Sequence, residues 1–580
     1  MNSLPCEVLE HIYSFLNFYD YLRATEVCRF WNELFTSKIS RNGILQLSQR
    51  LLTIRNETFY IVLYHFSKAS RVYHNIMFNG IDFLSLDRRT ELQFVVFLAN
   101  VGMNVKNIIL LDCNIGISKL CQICSVIKQL EILKIDRCSV QYDVLLLPEF
   151  LLSFKALKKI NIQNLKTENE EIVDFITNGN SAIIDLAIND GYIDERTEIF
   201  SNVERLKSLS CTFYHSGSLL NLLSHPKLNL NSLQLQRKPA DQFHMYNITN
   251  IILAQCNLRE FYLNTALTIE MLIEISVNLV CLEVLSITID GLNPPVCTTI
   301  TWPNLRVLRM SCVSYIDILL SSMVFRKLEE LHIHTERLPK DAMRIIYEKG
   351  LDLKNLTLST LSLLRCEESL GIIGNKLPNL NAIEVHCSTN TDFQAFLRSA
   401  ETLKRLKTLQ FVYCEKITDS TIGSVDMPYL FSFNLSYNRQ ISNVGLKQMF
   451  TKCIRIKHLS LCGCPGVNDD VIEMIAARLP GLENLNISES SEITLNSIRH
   501  IINGLRFLTS LRLDNCRRIL SQWRFAPQYI DNIECLRRYH DTYPEFFYYN
   551  LPIEKAARVN YFDFLYYDSN EDSSEIDEFH

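Results

Sequence analysis

A spaced set of apolar positions repeats along the chain from residue 81 onward. Each copy has an apolar residue, a second three positions later and a third two positions after that, as in LEILKI with Leu130, Leu133 and Ile135. The last two lie on one face of a short strand, because side chains alternate along a strand. Successive copies are spaced by about 25 residues, which is typical of leucine-rich repeats. We count 18 copies, which begin at Ile81, Val105, Leu130, Leu157, Ile183, Leu206, Leu230, Leu258, Leu282, Leu305, Leu328, Leu353, Leu380, Leu406, Leu430, Ile456, Leu482 and Leu508.

Helical patterns separate the predicted strands. In residues 442–453 the inward residues are predicted to be Leu446, Met449, Phe450 and Cys453, which recur at helical spacing. In residues 468–481 they are Val471, Ile472, Ile475 and Leu479. One such unit cannot bury its apolar stripe alone, so stacked copies must cover one another. The pattern therefore predicts an α/β solenoid of leucine-rich repeats, curved into a horseshoe or partial ring.

A cysteine or asparagine stands eight positions after the first residue of several copies, which we call the closing position. These residues are Cys113, Cys138, Cys414, Asn438, Cys464 and Cys516. The segments LQFVYCEKITD and LSLCGCPGVND resemble the consensus of the cysteine-containing subtype of leucine-rich repeat. We expect the closing side chain to turn inward and bond backbone groups that the turn leaves unpaired.

The first 35 residues do not follow the repeat and form a separate pattern. Pro5 suits the first turn of a helix, and an apolar stripe runs from Val8 to Leu16. Asp20 is placed to cap a second helix, and Trp31 falls in a third. Three helices of about 30 residues in total bury too little surface to stand alone, so part of their apolar surface needs a partner.

This segment resembles the F-box. The order Leu4-Pro5, Glu7-Val8-Leu9, Ile12, Phe15-Leu16, Asp20, Leu22, Val27-Cys28-Arg29 and Trp31 matches that family's pattern nearly throughout. The combination is identified as an F-box and leucine-rich-repeat protein. The resemblance implies a non-catalytic substrate receptor of an SCF-type ubiquitin ligase, in which the F-box docks on a Skp-family adaptor that leads to a cullin-RING ligase. By the same resemblance, the adaptor contacts would come from Leu4, Pro5, Val8, Leu9, Ile12, Leu16, Leu22, Val27, Cys28 and Trp31.

These patterns divide the chain into five parts. Residues 1–40 are the F-box, 41–80 a linker or N-terminal cap, and 81–520 the repeats. Residues 521–567 are rich in aromatic side chains and predict a C-terminal cap. Residues 568–580 contain six acidic side chains in 13 positions and predict a disordered tail.

Composition narrows the partners and the compartment. The 580 residues carry a formal net charge of -6 and a pI near 6.2, which disfavours nucleic acid or an anionic membrane as the main partner. No run of 18 apolar residues and no signal-peptide pattern occurs, so we expect a cytoplasmic or nuclear protein. The 19 cysteines are then expected to be mostly buried thiols, including the CQIC and CGC pairs at residues 121–124 and 462–464.

Charged and histidine side chains gather on a few predicted strands at positions expected on the concave face. They are Arg309, Glu330, His332, His334, Glu384 and His386, which we predict to be a substrate-recognition patch. The alternative is a solvated strand face without a partner. The two histidines with Glu330 or His386 would suit zinc, but no tetrahedral ligand set is fixed, and no motif predicts a cofactor or enzymatic activity.

Two other functions share this architecture. One is an interaction scaffold that binds partners through the repeats without joining a cullin. The other is a small-ligand-gated receptor, since plant hormone receptors of the same architecture have a similar number of repeats. The sequence leaves all three open.

Overall fold

The structure is a computed structural model whose described residues fall almost wholly within the predicted repeats. The described residues are 44–48, 59–68, 73–141, 157–165, 182–189, 205–213, 223, 228–237, 252, 255–289, 298–312, 315–364, 370–387, 393–522 and 529–530. The ten predicted adaptor-binding residues and the acidic tail lie outside them, as does most of the predicted C-terminal cap. The chain divides into two compact units, Met1–Ser286 and Ile287–His580.

The first unit is a ladder of parallel strands with helices between some of them. Its strands are Ile44–Ser48, Asn75–Asn79, Asn107–Leu111, Ile132–Asp136, Lys159–Gln163, Asp185–Asn189, Ser208–Phe213, Ser232–Arg237 and Glu260–Leu267, and Val284–Ile289 lies at the boundary with the second unit. Asn114–Gly116 pairs separately with Ser139–Gln141. The helices described here are Phe59–Lys68, Arg88–Val101, Ile117–Val126 and Ile269–Asn278, with a 3-10 turn at Gly102–Asn104.

The second unit repeats this plan with more regular spacing. Its ladder contains Val307–Cys312, Glu330–Pro339, Asn355–Leu364, Ala382–Cys387, Thr408–Val412, Ser432–Asn434, His458–Ser460, Asn484–Asn486 and Ser510–Arg512. Ile300–Trp302 pairs separately with Met323–Phe325. The described helices are Ile316–Ser322, Lys340–Lys349, Ile373–Lys376, Gln394–Ala400, Asp419–Gly423, Asn443–Met449, Asp469–Arg478, Leu495–Gly504 and Arg517–Gln522.

The apolar repeat sets the register of both ladders. Leu331 pairs with Leu356, and Leu356 pairs with Ile383, so equivalent positions of successive copies stack directly. In 17 of the 18 copies all three apolar residues are buried. The predicted inward residues of the helices at Asn443–Met449 and Asp469–Arg478 are buried as well. The leucine-rich-repeat fold is confirmed.

The first copy of the repeat is placed wrongly by the sequence. The strand lies at Asn75–Asn79, before Ile81 rather than after it, and Leu84 is 40% exposed. Residues Ile44–Ser48 pair in parallel with this strand, so part of the segment assigned to a linker or cap extends the ladder. The sequence separation between the starts of paired strands is larger from Ile44 to Asn75 and from Asn75 to Asn107 than it is from Asn107 to Ile132. A search at the regular spacing therefore misses this strand.

The closing residues join consecutive repeats, as predicted. The Cys464 thiol donates to the carbonyl oxygen of Leu435 at 2.9 Å, one repeat earlier. The Cys113 thiol lies 3.3 Å from the carbonyl oxygens of both Phe78 and Leu111. A left-handed residue precedes several closing positions, as at Tyr437 with φ 62°. This bend turns the closing side chain under the strand end.

At the C-terminal end of the ladder, Tyr529–Ile530 pairs antiparallel with Leu511 and Arg512. An antiparallel partner covers the open edge of the last parallel strand. Of the 13 described cysteines, all but Cys256 and Cys281 are buried, and none is in a disulfide. The described part of the chain has no helix long and apolar enough to cross a bilayer.

Candidate functional site

The side chains that alternate with the buried ones form an open face on the strands of the second unit. One row of this open face runs through residues that are paired in register on consecutive strands. The row consists of Arg309, His332, Thr357, Glu384, Gln410 and Asn434. Neighbouring strands lie about 4.8 Å apart, so each row places one polar group per repeat in a line.

Three residues of the predicted patch contact one another. Glu330 Oε2 lies 3.9 Å from Arg309 Nη2 and 3.7 Å from His332 Nε2. Burial and the Arg309 charge lower the pKa of His332, although the Glu330 and Glu384 carboxylates oppose this shift. His332 Nε2 is buried and has no hydrogen-bond partner among the described residues. The neutral ring therefore keeps one buried polar atom without a hydrogen bond beside the Arg309–Glu330 ion pair.

The other three residues of the patch share the open face but form separate groups. Glu384 accepts from Thr357 at 3.3 Å and stands two strands from His332. His334 Nδ1 lies 3.0 Å from Ser359 Oγ, and His386 is on the strand beyond Ser359. Burial lowers the pKa of His386, while Glu384 raises it and His334 lowers it further. The six residues thus line one surface rather than a single closed site.

A polar ladder continues this surface into the later repeats, and sequence reasoning missed it. Gln410 Nε2 donates to Glu384 Oε1, and Asn434 Nδ2 donates to Gln410 Oε1 at 3.1 Å. His458 Nδ1 lies 2.7 Å from Asn484 Nδ2. These residues, apart from Glu384, line a cavity of about 320 Å³ together with Arg512. The available signal was the run of amide and histidine side chains at alternating strand positions.

The described part of the open face has no arrangement suited to a metal. Among the described residues, no three histidine, cysteine, aspartate or glutamate side chains are grouped so that they could hold a metal ion. The CQIC and CGC cysteines are buried. Burial raises the pKa of Cys464 to about 12, which keeps this thiol protonated and unreactive.

Comparison with known families gives information on residues 1–40, which lie outside the described residues. The F-box-like family model matches residues 1–40, directly before the first described strand of the ladder. The chain thus combines an F-box-like segment with leucine-rich repeats. F-box-like segments are typical of substrate adaptors in SCF complexes.

One curated relative of this chain is the BTB/POZ domain-containing protein FBL11 of Arabidopsis thaliana. It is 28% identical over 133 residues, which cover 23% of this chain and 14% of that protein. The chain therefore matches only about a seventh of the length of this relative.

Several solved structures match this chain at low similarity. The complex of Rad7 and Elc1 in yeast matches at 16% identity and a TM-score of 0.34, covering 80% of this chain and 94% of the other. The protein LIC12759 of Leptospira interrogans matches at 17% identity and a TM-score of 0.32, covering 72% and 92%. An internalin of Listeria monocytogenes matches at 15% identity and a TM-score of 0.31, covering 60% and 87%. These values are too low to say anything about function.

Proposed function

We propose that this protein is the substrate-recognition subunit of an SCF-type E3 ubiquitin ligase. The F-box would dock on a Skp-family adaptor and through it on a cullin-RING ligase, while the leucine-rich repeats bind the protein to be ubiquitinated. The observation that carries the proposal is the F-box-like match at residues 1–40 in a chain whose described residues form leucine-rich repeats. No catalytic group is required of this chain.

The mechanism rests on proximity. A receptor that holds a target lysine beside a loaded conjugating enzyme converts a bimolecular encounter into an effectively intramolecular one. Neighbouring repeats of the second unit are joined by strand pairing, and several of the later ones are also joined by buried closing residues. A ladder held in this way keeps the bound protein at a defined place on the receptor.

The docking half of the proposal is tested by Leu9→Asp, with Leu9→Met as the matched apolar control. A carboxylate placed in an apolar interface costs several kcal/mol, so Leu9→Asp is expected to lose the adaptor and the cullin in a pull-down while Leu9→Met keeps both. Full adaptor binding by Leu9→Asp would remove Leu9 from the interface. Adaptor without cullin in the unsubstituted protein would favour an interaction scaffold instead.

The recognition half assigns the predicted patch on the open face to substrate capture. Proteins that accumulate on the receptor when the ligase is inhibited would be identified by quantitative mass spectrometry. Arg309→Glu with His332→Ala is expected to reduce their capture and to leave adaptor binding intact. The matched control is Arg398→Glu with His500→Ala, on the helices of the same unit. Equal capture by both double variants would exclude the patch.

A further inference from the structure

A cavity of about 460 Å³ lies at the edge of the second unit where the parallel strands begin. Five basic residues line it, namely Arg306, Arg326, Lys327, Lys354 and Arg405, and we call this set the basic edge. Two carboxylates, Glu329 and Asp352, also line the cavity. The local excess of three positive charges stands against a net charge of -6 for the whole chain.

Part of this charge has a structural use. Glu329 binds Arg306 at 2.9 Å and Lys354 at 3.0 Å, and hydrogen bonds from Lys354 and then Arg306 lower its pKa. The same kind of pairing between successive repeats occurs elsewhere at this edge of the strands, as between Lys457 and Glu483. Arg306 and Lys354 therefore share one carboxylate of the protein itself, which offsets one of their two charges.

The remaining three cations of the basic edge are not neutralised in this way. Lys327 Nζ donates to the neutral amide of Asn304 at 2.8 Å, and Arg405 Nη1 donates to that of Asn379 at 3.2 Å. The Arg326 side chain has no hydrogen bond or ion pair within the described residues. All three side chains are exposed. Against these three cations stands the Asp352 carboxylate of the same cavity, so an excess of two positive charges remains.

The spacing of these cations fits an extended chain. The strands that follow Lys327 and Arg405 are separated by three strand intervals, or about 14 Å at about 4.8 Å each. An extended peptide rises about 3.3 Å per residue, so about four residues would cross this distance. Cations placed this far apart match a row of carboxylates better than they match a single anion.

The surface continues with aromatic side chains that already have partners. Arg455 lies 5.6 Å from the centre of the Tyr429 ring, and Lys457 lies 5.3 Å from that of Phe431. These rings are therefore not free platforms for stacking bases. The surface thus offers positive charge without a free aromatic ring for stacking, which favours an acidic peptide over a single-stranded nucleic acid.

We propose that the basic edge binds an extended, carboxylate-rich segment of a partner protein. That this partner is the protein to be ubiquitinated rests on the proposed function, whereas peptide binding itself does not. The segment would place its carboxylates against Arg326, Lys327 and Arg405, and it would add a second contact beside the open face.

The test uses fluorescence anisotropy with a labelled ten-residue peptide of alternating glutamate and serine. The full chain is expected to bind this peptide, to bind it less tightly as salt rises, and to ignore the glutamine counterpart. Arg326→Glu with Arg405→Glu should weaken binding at least about tenfold, the effect of two reversed contact charges. The matched control, Arg398→Glu with Arg478→Glu, reverses two exposed charges on helices and should leave binding unchanged.

Four results would overturn the proposal. The first is that neither the full chain nor a chain ending at Tyr567 binds the peptide, and the second is that the Arg326→Glu, Arg405→Glu variant binds it as tightly as the unsubstituted chain. The third is that a labelled ten-nucleotide oligothymidine binds more tightly than the peptide. The fourth is that the peptide binds only after residues 568–580 have been removed. The last result would identify the chain's own acidic tail as the occupant. Leu9→Asp separates the two proposals, since it should abolish adaptor binding and leave the peptide affinity unchanged.

Discussion

Replacement of Asn438 by alanine tests how the repeats hold together. The side chain is 0% exposed and makes three hydrogen bonds. Its Nδ2 donates to the carbonyl oxygens of Phe411 at 2.8 Å and Leu435 at 2.7 Å. Its Oδ1 accepts from the backbone N–H of Cys414 at 2.8 Å. One side chain therefore joins the strand ends of two consecutive repeats.

The expected loss follows from the groups that alanine leaves behind. Two carbonyl oxygens and one N–H would remain buried without this partner, and each such group costs about 1–3 kcal/mol. Partial relaxation places the total near the lower bound, so we expect the free energy of unfolding to fall by about 3–4 kcal/mol. Because repeat stability is roughly a sum of neighbouring interfaces, the effect should centre on the repeats at Leu406 and Leu430.

Urea denaturation followed by circular dichroism measures the change, and hydrogen exchange of the amides in Thr408–Val412 and Ser432–Asn434 locates it. Asn438→Cys should recover part of the loss, because cysteine at the equivalent position 464 donates to a strand carbonyl and the Cys138 sulphur accepts from a backbone N–H. The exposed Gln440→Ala is the control. A loss below about 1 kcal/mol for Asn438→Ala, or no recovery with cysteine, would refute the assigned role.

Three further substitutions test the same ladder. Gly466→Ala would bring a Cβ within 2.7 Å of the Asn443 backbone nitrogen, so it should lower the free energy of unfolding by about 1–3 kcal/mol. The control is Gly481→Ala, whose Cβ would meet nothing within 4 Å and which should leave stability unchanged. Equal melting temperatures of the two variants would contradict this prediction. Ser490 has a buried hydroxyl without a partner among the described residues, so Ser490→Cys should raise stability by about 0.5–1.5 kcal/mol under reducing conditions, and a loss would argue against it. Burial raises the pKa of Asp469, but hydrogen bonds from Ser497 and Thr494 outweigh it and hold the pKa below its usual value. This stabilisation is present above the unfolded pKa near 4 and is lost as pH falls through the folded value, so Asp469→Asn should destabilise at pH 7 and much less at pH 3, and a constant difference would exclude this role.

Most of the fold could be predicted because the repeat is simple. The buried triplet of Leu328, Leu331 and Ile333 depends only on the alternation of side chains along a strand and on the stacking of repeats. Both produce a pattern of apolar positions that can be read from the local sequence. The pattern misses the strand at Asn75–Asn79 because its two partner strands, which begin at Ile44 and Asn107, are farther from it in sequence than the regular repeat length. A longer loop changes the period without changing the stacking, so a fixed spacing fails there.

The candidate surfaces were less predictable, because they depend on which repeats lie side by side. Arg309, Glu330 and His332 were predicted together and do contact one another, since adjacent copies of a regular repeat must pair in register. His332 and Glu384 are separated by the strand of Thr357, a distance that the residue types do not show. The residue types predict which side chains lie on the open face, but only the strand register shows which of these side chains are neighbours.

The edge where the strands begin shows why basic residues in a repeat cannot be assigned a function one at a time. In the first unit, Lys106 and Lys158 flank Glu131 at 3.6 and 3.3 Å, and these three residues neutralise one another in part. In the second unit, Arg306 and Lys354 flank Glu329 in the same way. Lys327 and Arg405 lie two positions earlier in their repeats and bond to neutral amides. The sequence shows lysine or arginine in both places. Pairing with a carboxylate makes the first group part of the ladder, whereas the second group forms no ion pair among the described residues and is left able to bind an acidic partner.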